Sequence, residues 1–101
     1  MRVVVINGTT IKSMEEAHLQ IKKNFCLPGY YGKNLDALFD LLSTEDRKTM
    51  ILFFDSKGFV QRVGKKGEVL VTTFQDVDLA NQQIRFIRIE RKGMISRGFV
   101  V

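Results

Sequence analysis

A chain of 101 residues, 45% hydrophobic and 27% charged, has room for one small packed domain and not for two, and its balance excludes a disordered or fibrous protein. The formal net charge of +5 ordinarily points to an anionic partner, but residues 1–56 hold seven Lys/Arg against seven Asp/Glu and residues 57–101 nine against four, so the whole excess lies in the second half. The opening Met1-Arg2-Val3-Val4-Val5-Ile6-Asn7-Gly8 turns polar after four apolar positions, too few for a signal peptide or a membrane span, and a cytoplasmic chain without membrane contact is expected.

Val3 to Ile6, β-branched and followed by the turn pair Asn7-Gly8, predicts a buried strand. Ser13-Met14-Glu15-Glu16 has the form of a capping box, with Ser13 accepting from an early helix N–H and Glu16 reaching back to the Ser13 N–H. Met14, Ala17, His18, Ile21 and Phe25 then share one arc at 3.6 residues per turn, the expected core face. On that arc His18 reads as a packed residue at the core edge. Cys26, the single cysteine, can form no disulfide within the chain and no cysteine metal pair, and reads as a small buried hydrophobe. Leu27-Pro28-Gly29 ends the helix and predicts that Tyr30-Tyr31-Gly32-Lys33 is an exposed loop.

Asn34 can cap a second helix with an apolar stripe at Leu35, Leu38, Leu41 and Leu42, ending near Ser43 or Thr44. Thr49 to Phe54, with five strongly apolar residues in six, predicts a strand covered on both faces. Between 57 and 82, β-branched content competes with helical spacing. Val69, Leu70, Thr73, Phe74, Val77 and Ala80 decide for helix. Gly64-Lys65-Lys66-Gly67 lacks a full phosphate-loop pattern and reads as a solvated turn. Ile84 to Ile89 is a third strand, and strands separated by helices argue for an α/β fold with a parallel sheet. One domain over residues 1–101 is expected, with 91–101 as a short extra strand or a loose tail.

The chemistry concentrates in residues 30–40. Asp36 and Asp40, four apart, share one side of the second helix, with Phe39 on the boundary between that acidic side and the core. Aromatic anchors among charges are the composition of a protein interface that would suit a basic cleft. Ile6-Asn7-Gly8, Ile11-Lys12-Ser13, His18, Leu27-Pro28 and above all Tyr30-Tyr31-Gly32-Lys33-Asn34-Leu35-Asp36-Ala37-Leu38-Phe39-Asp40 resemble the barstar family. The register holds without a gap from about residue 3 to residue 43; beyond it the likeness rests on element order.

The resemblance implies a three-layer α/β fold, a three-stranded parallel sheet with helices packed around it. It also implies no enzymatic activity, no cofactor or metal, a chain monomeric when free, and a secreted barnase-like ribonuclease as partner. Carried onto matching positions, the partner-binding residues would be Tyr30, Tyr31, Gly32, Asn34, Asp36, Phe39 and Asp40. Asp40 would be the central anion, placed where RNA phosphates would sit. Aligning Phe74 as a core residue adds Asp76 as a second acidic contact. Phe39 stands where the family often has Trp, and the net basic charge departs from the family's acidic members. The alternative is a nucleic-acid-binding module using Lys57, Arg62, Lys65, Lys66, Arg85, Arg88, Arg91, Lys92 and Arg97 on phosphates. A hydrolase using Asp36 and Asp40 as paired carboxylates is the remotest reading.

Overall fold

In the computed structural model, which describes residues 1–29 and 31–91, three strands form one sheet: β1 (Arg2–Asn7), β2 (Thr49–Phe54) and β3 (Ile84–Ile89). All pairings are parallel, in spatial order β1-β2-β3, with Val4 opposite Ile51 and Ile51 opposite Phe86. The connections carry α1 (Met14–Phe25), α2 (Leu35–Ser43), α3 (Ser56–Val63) and α4 (Lys65–Ala80). Strands that follow one another in a single direction across a sheet, joined by right-handed crossovers, must place every crossover on the same face. The burial obeys this. Val4, Ile6, Ile51, Phe53 and Ile84 join Ile21, Phe25, Leu38, Phe59, Leu70 and Phe74 in one core cluster.

The other sheet face carries Val3, Val5, Met50, Leu52, Phe54, Ile87 and Ile89 by register, and there Val3 is 54% and Val5 43% exposed. The α/β fold with a three-stranded parallel sheet is thus as expected, but among the described residues it has two layers rather than three. For the same reason β1 is buried on one face only, and β2 is fully covered on one face and partly on the other. Apolar content alone could not separate the two faces.

Local chemistry explains the boundaries. Ser13 Oγ accepts from Glu16 N–H at 3.2 Å as the capping box requires, but the Glu16 carboxylate takes the Lys12 N–H at 2.7 Å rather than that of Ser13. Cys26 closes α1 in the left-handed region, φ 56°, with its N–H on the last carbonyls. This geometry turns it outward, so it is exposed and not the buried hydrophobe expected. Gly8 is required by space: a Cβ there would stand 2.4 Å from the Phe54 carbonyl oxygen.

The helix expected around Val69 to Ala80 is α4. Ser56–Val63 adds a helix, α3, that the periodicity did not separate. Gly64, at φ 90°, is the break between them. Residues 65–67 are the first turn of α4 instead of a solvated loop, with Gly67 buried. The edge strand β3 is tied back to α4 by Asp78 Oδ2, which accepts from Phe86 N–H at 2.7 Å.

Asp55 caps α3 through Gly58 N–H at 3.3 Å, its side chain 5% exposed between the guanidinium groups of Arg62 and Arg91, each 3.8 Å away. Arg62 reaches on to the carbonyls of Gly8 and Ile11 and so ties the turn that follows β1 to α3. Asp55→Ala removes the cap and an almost buried carboxylate together, and is expected to cost about 2 kcal/mol of stability. A urea denaturation midpoint unchanged from the parent would contradict this assignment. Of the strand or tail expected over 91–101, residues 92–101 lie outside the described residues.

Candidate functional site

The segment between α1 and α2 is held from inside. Tyr31, expected in an exposed loop, is only 5% exposed and belongs to the core cluster. Its hydroxyl lies 2.7 Å from His18 Nδ1, and its N–H donates to the Pro28 carbonyl at 3.0 Å. Burial pushes the Tyr31 phenol up to about 12. Burial also lowers the His18 pKa below 6.5, with the positive charge of Lys33 acting in the same direction. With the phenol protonated and the imidazole neutral, Tyr31 donates to Nδ1 when the ring proton sits on Nε2.

Sequence reading placed both residues separately and missed their pairing. The signal available was that a histidine on an apolar helix face needs a polar partner once buried. Tyr30 lies outside the described residues.

After Tyr31, Gly32 and Lys33 are exposed, Lys33 in the left-handed region at φ 55°. Asn34 then starts α2, its side-chain oxygen accepting from Ala37 N–H at 2.7 Å. Leu38 and Leu42 are buried, and Leu35 and Leu41 pack at the core edge. This fixes the rotation of the helix, so Asp36 and Asp40 face solvent and Phe39 is half-buried against the core. Among the described residues neither carboxylate has an ion pair or hydrogen bond. Like charges one turn apart cost a few tenths of a kcal/mol in a helix, and only Asp36 lies in the first turn, where the helix dipole compensates.

The C-terminal end of α2 is pinned to α4: Asn81 Nδ2 donates to the carbonyls of Leu42 at 2.9 Å and Glu45 at 3.0 Å. Asp76, exposed on α4, therefore sits on the helix against which α2 packs. Just beyond α2, Glu45 bridges Arg2 and Arg47, and the hydrogen bond from Arg47 is the main force holding its carboxyl down to about 2.

Two pH effects follow. The folded state disfavours protonated His18, so that contribution is whole above 6.5 and falls as the unfolded chain takes up its proton below that value. Glu45, depressed in the fold, contributes fully above 4.5 and loses its contribution as the pH approaches 2. Urea unfolding midpoints should therefore decline in two stages on acidification. His18→Gln should remove the first stage; its persistence in that variant would contradict the assignment.

The basic second half is less available than its composition suggests. Arg62 and Arg91 flank Asp55, Arg88 bonds Ser56 Oγ at 2.8 Å and pairs with Glu90 at 3.5 Å, and Lys65 lies 3.6 Å from Glu68. Arg85 is exposed on the open sheet face, and Lys92 and Arg97 lie outside the described residues. Among the described residues no group of His, Cys, Asp and Glu is arranged to hold a metal ion, and no helix is long and apolar enough to cross a membrane.

A two-layer α/β domain that presents an exposed acidic helix through a core-anchored connection has the form of a binding protein. The family described as "Barstar (barnase inhibitor)" matches residues 1–89, and the chain belongs to that family. A protein of Bacillus subtilis (strain 168) named "Putative ribonuclease inhibitor YrdF" is 42% identical over 43 residues, a stretch covering 43% of this chain and 47% of that protein. The matched stretch thus spans about half of the relative's length.

Proposed function

We propose that this protein inhibits a secreted barnase-type ribonuclease inside the cell that makes it, by setting α2 across the enzyme's phosphate-binding cleft. The observation that carries the reading is the pair of exposed carboxylates of Asp36 and Asp40, unneutralised among the described residues, beside the half-buried ring of Phe39. A ribonuclease must gather Arg, Lys or His groups to hold RNA phosphates. A carboxylate accepts paired hydrogen bonds from a guanidinium much as a phosphate does. In this reading Asp40 is the central anion and Phe39 an aromatic anchor. Gly32 allows close backbone approach, Asn34 offers the amide N–H2 that its cap leaves unused, and Asp76 adds an acidic contact from α4.

Tyr31 keeps its side chain in the core and makes no contact. Inhibition is by occlusion and needs no chemistry of the protein's own. Membership of the barstar family supports the class of target. The test is titration of a barnase-type ribonuclease against the purified protein with RNA cleavage as readout: activity should fall linearly and vanish at one inhibitor per enzyme. Undiminished cleavage with excess protein would overturn the reading.

A further inference from the structure

Two anchors bracket the exposed approach to α2. Tyr31 holds it from the core, and Asn34 caps the helix at the other end, leaving Gly32 and Lys33 alone between them. Lys33 keeps a left-handed backbone, φ 55°, that a non-glycine residue holds only when its surroundings impose it. Resting on the reading above, we propose that the buried Tyr31–His18 hydrogen bond is the positioning device of the inhibitory surface, fixing Gly32 to Asn34 and the first turn of α2 before the nuclease arrives.

The geometry supports a role beyond filling space. The Tyr31 ring already packs in the core cluster without its hydroxyl, and the hydroxyl adds one directional bond, 2.7 Å long, to a side chain of α1. That bond selects one orientation of the ring and hence one path for the residues that follow it. Burial favours the protonated phenol and the neutral imidazole, so the pair stays uncharged around neutral pH. A segment ordered in the free protein does not have to be ordered on binding, and affinity rises by the cost avoided. Tyr31 and His18 would thus act through Gly32, Asn34 and Asp36 while touching no partner atom.

The experiment compares Tyr31→Phe, His18→Asn and Asp40→Ala in ribonuclease inhibition, with urea unfolding and amide exchange of the free proteins measured alongside. Tyr31→Phe keeps the ring and loses the bond. It should inhibit about tenfold less tightly, through faster dissociation, while the amides of Gly32 to Asn34 exchange faster. His18→Asn, whose Oδ1 stands at the same distance along the side chain as Nδ1 and retains an acceptor for the Tyr31 hydroxyl, should inhibit close to the parent. If Tyr31→Phe is less stable to urea yet inhibits as the parent does, the bond is only structural and the proposal is overturned. If Asp40→Ala also inhibits as the parent does, the acidic surface itself is wrongly assigned, and the proposal falls with it.

Discussion

Asp40→Ala is expected to weaken inhibition of a barnase-type ribonuclease by about a hundredfold or more while leaving the fold intact. Asp40 is exposed and, among the described residues, its carboxylate bonds to nothing within the chain, so its removal costs the free protein no ion pair or hydrogen bond. The effect falls on the complex instead, where the nuclease's phosphate-binding cations would be left buried without their anion. Asp40→Asn separates charge from shape, because the amide keeps one acceptor and loses the charge. It should recover part of the loss at most. Asp36→Ala is expected to weaken inhibition less, since Asp40 is the central anion, and to cost a little stability, since Asp36 lies in the first turn of α2. Inhibition constants and unfolding curves for all three variants make the comparison, and an Asp40→Ala protein as potent as the parent would refute the role of Asp40.

Phe74→Ala is expected to cost about 4 kcal/mol of stability, against a total of about 5–15 kcal/mol for a domain of this kind. Phe74 has no exposed surface and is the meeting point of the aromatic core. Its ring centre lies 5.3 Å from that of Phe86 and 6.2 Å from that of Phe25, nearly parallel to both, and 6.1 Å from that of Phe53, edge-on. These rings come from α4, β3, α1 and β2, so the cavity opens where most of the fold converges. Denaturant unfolding should show either a large fall in midpoint or a chain already partly unfolded in buffer, and a loss below about 1 kcal/mol would contradict this placement. Phe74→Leu, filling much of the space, should recover a good part of the loss.

Much of this molecule was legible in its sequence where local rules decide. β2 and β3 occupy the expected residues because each is a short apolar run with clear stops. α2 starts at its Asn34 cap and ends at Ser43 because the leucine spacing leaves a single rotation that buries Leu38 and Leu42. The exposure of Asp36 and Asp40 followed from the same spacing. What escaped depended on contacts distant in sequence. Tyr31 sits among glycines and a proline that mark a loop, yet its ring packs in the core and its hydroxyl meets His18, thirteen residues earlier.

Other misses share that cause. Val3 and Val5 have the composition of buried strand residues and face solvent only because both crossovers stack on the opposite side of the sheet. α3 is short, holds Gly58 in its interior, and is fixed by its Asp55 cap and by Arg62, which bonds Gly8 and Ile11 of the first connection. Arg62, Arg88 and Arg91 count as surface charge in the sequence, and their engagement with Asp55, Ser56 and Glu90 appears only in three dimensions.

The measurement that bears most directly on the inhibitory surface is an amide chemical-shift map of the isotope-labelled protein, titrated with a catalytically inactive barnase-type ribonuclease. The expected pattern is a stoichiometric change concentrated in Gly32 to Ser43, with a second small group around Asp76 on α4 and little movement on the open sheet face. No change at all, or changes confined to the basic residues of the second half, would contradict the assignment of α2 as the surface that meets the enzyme.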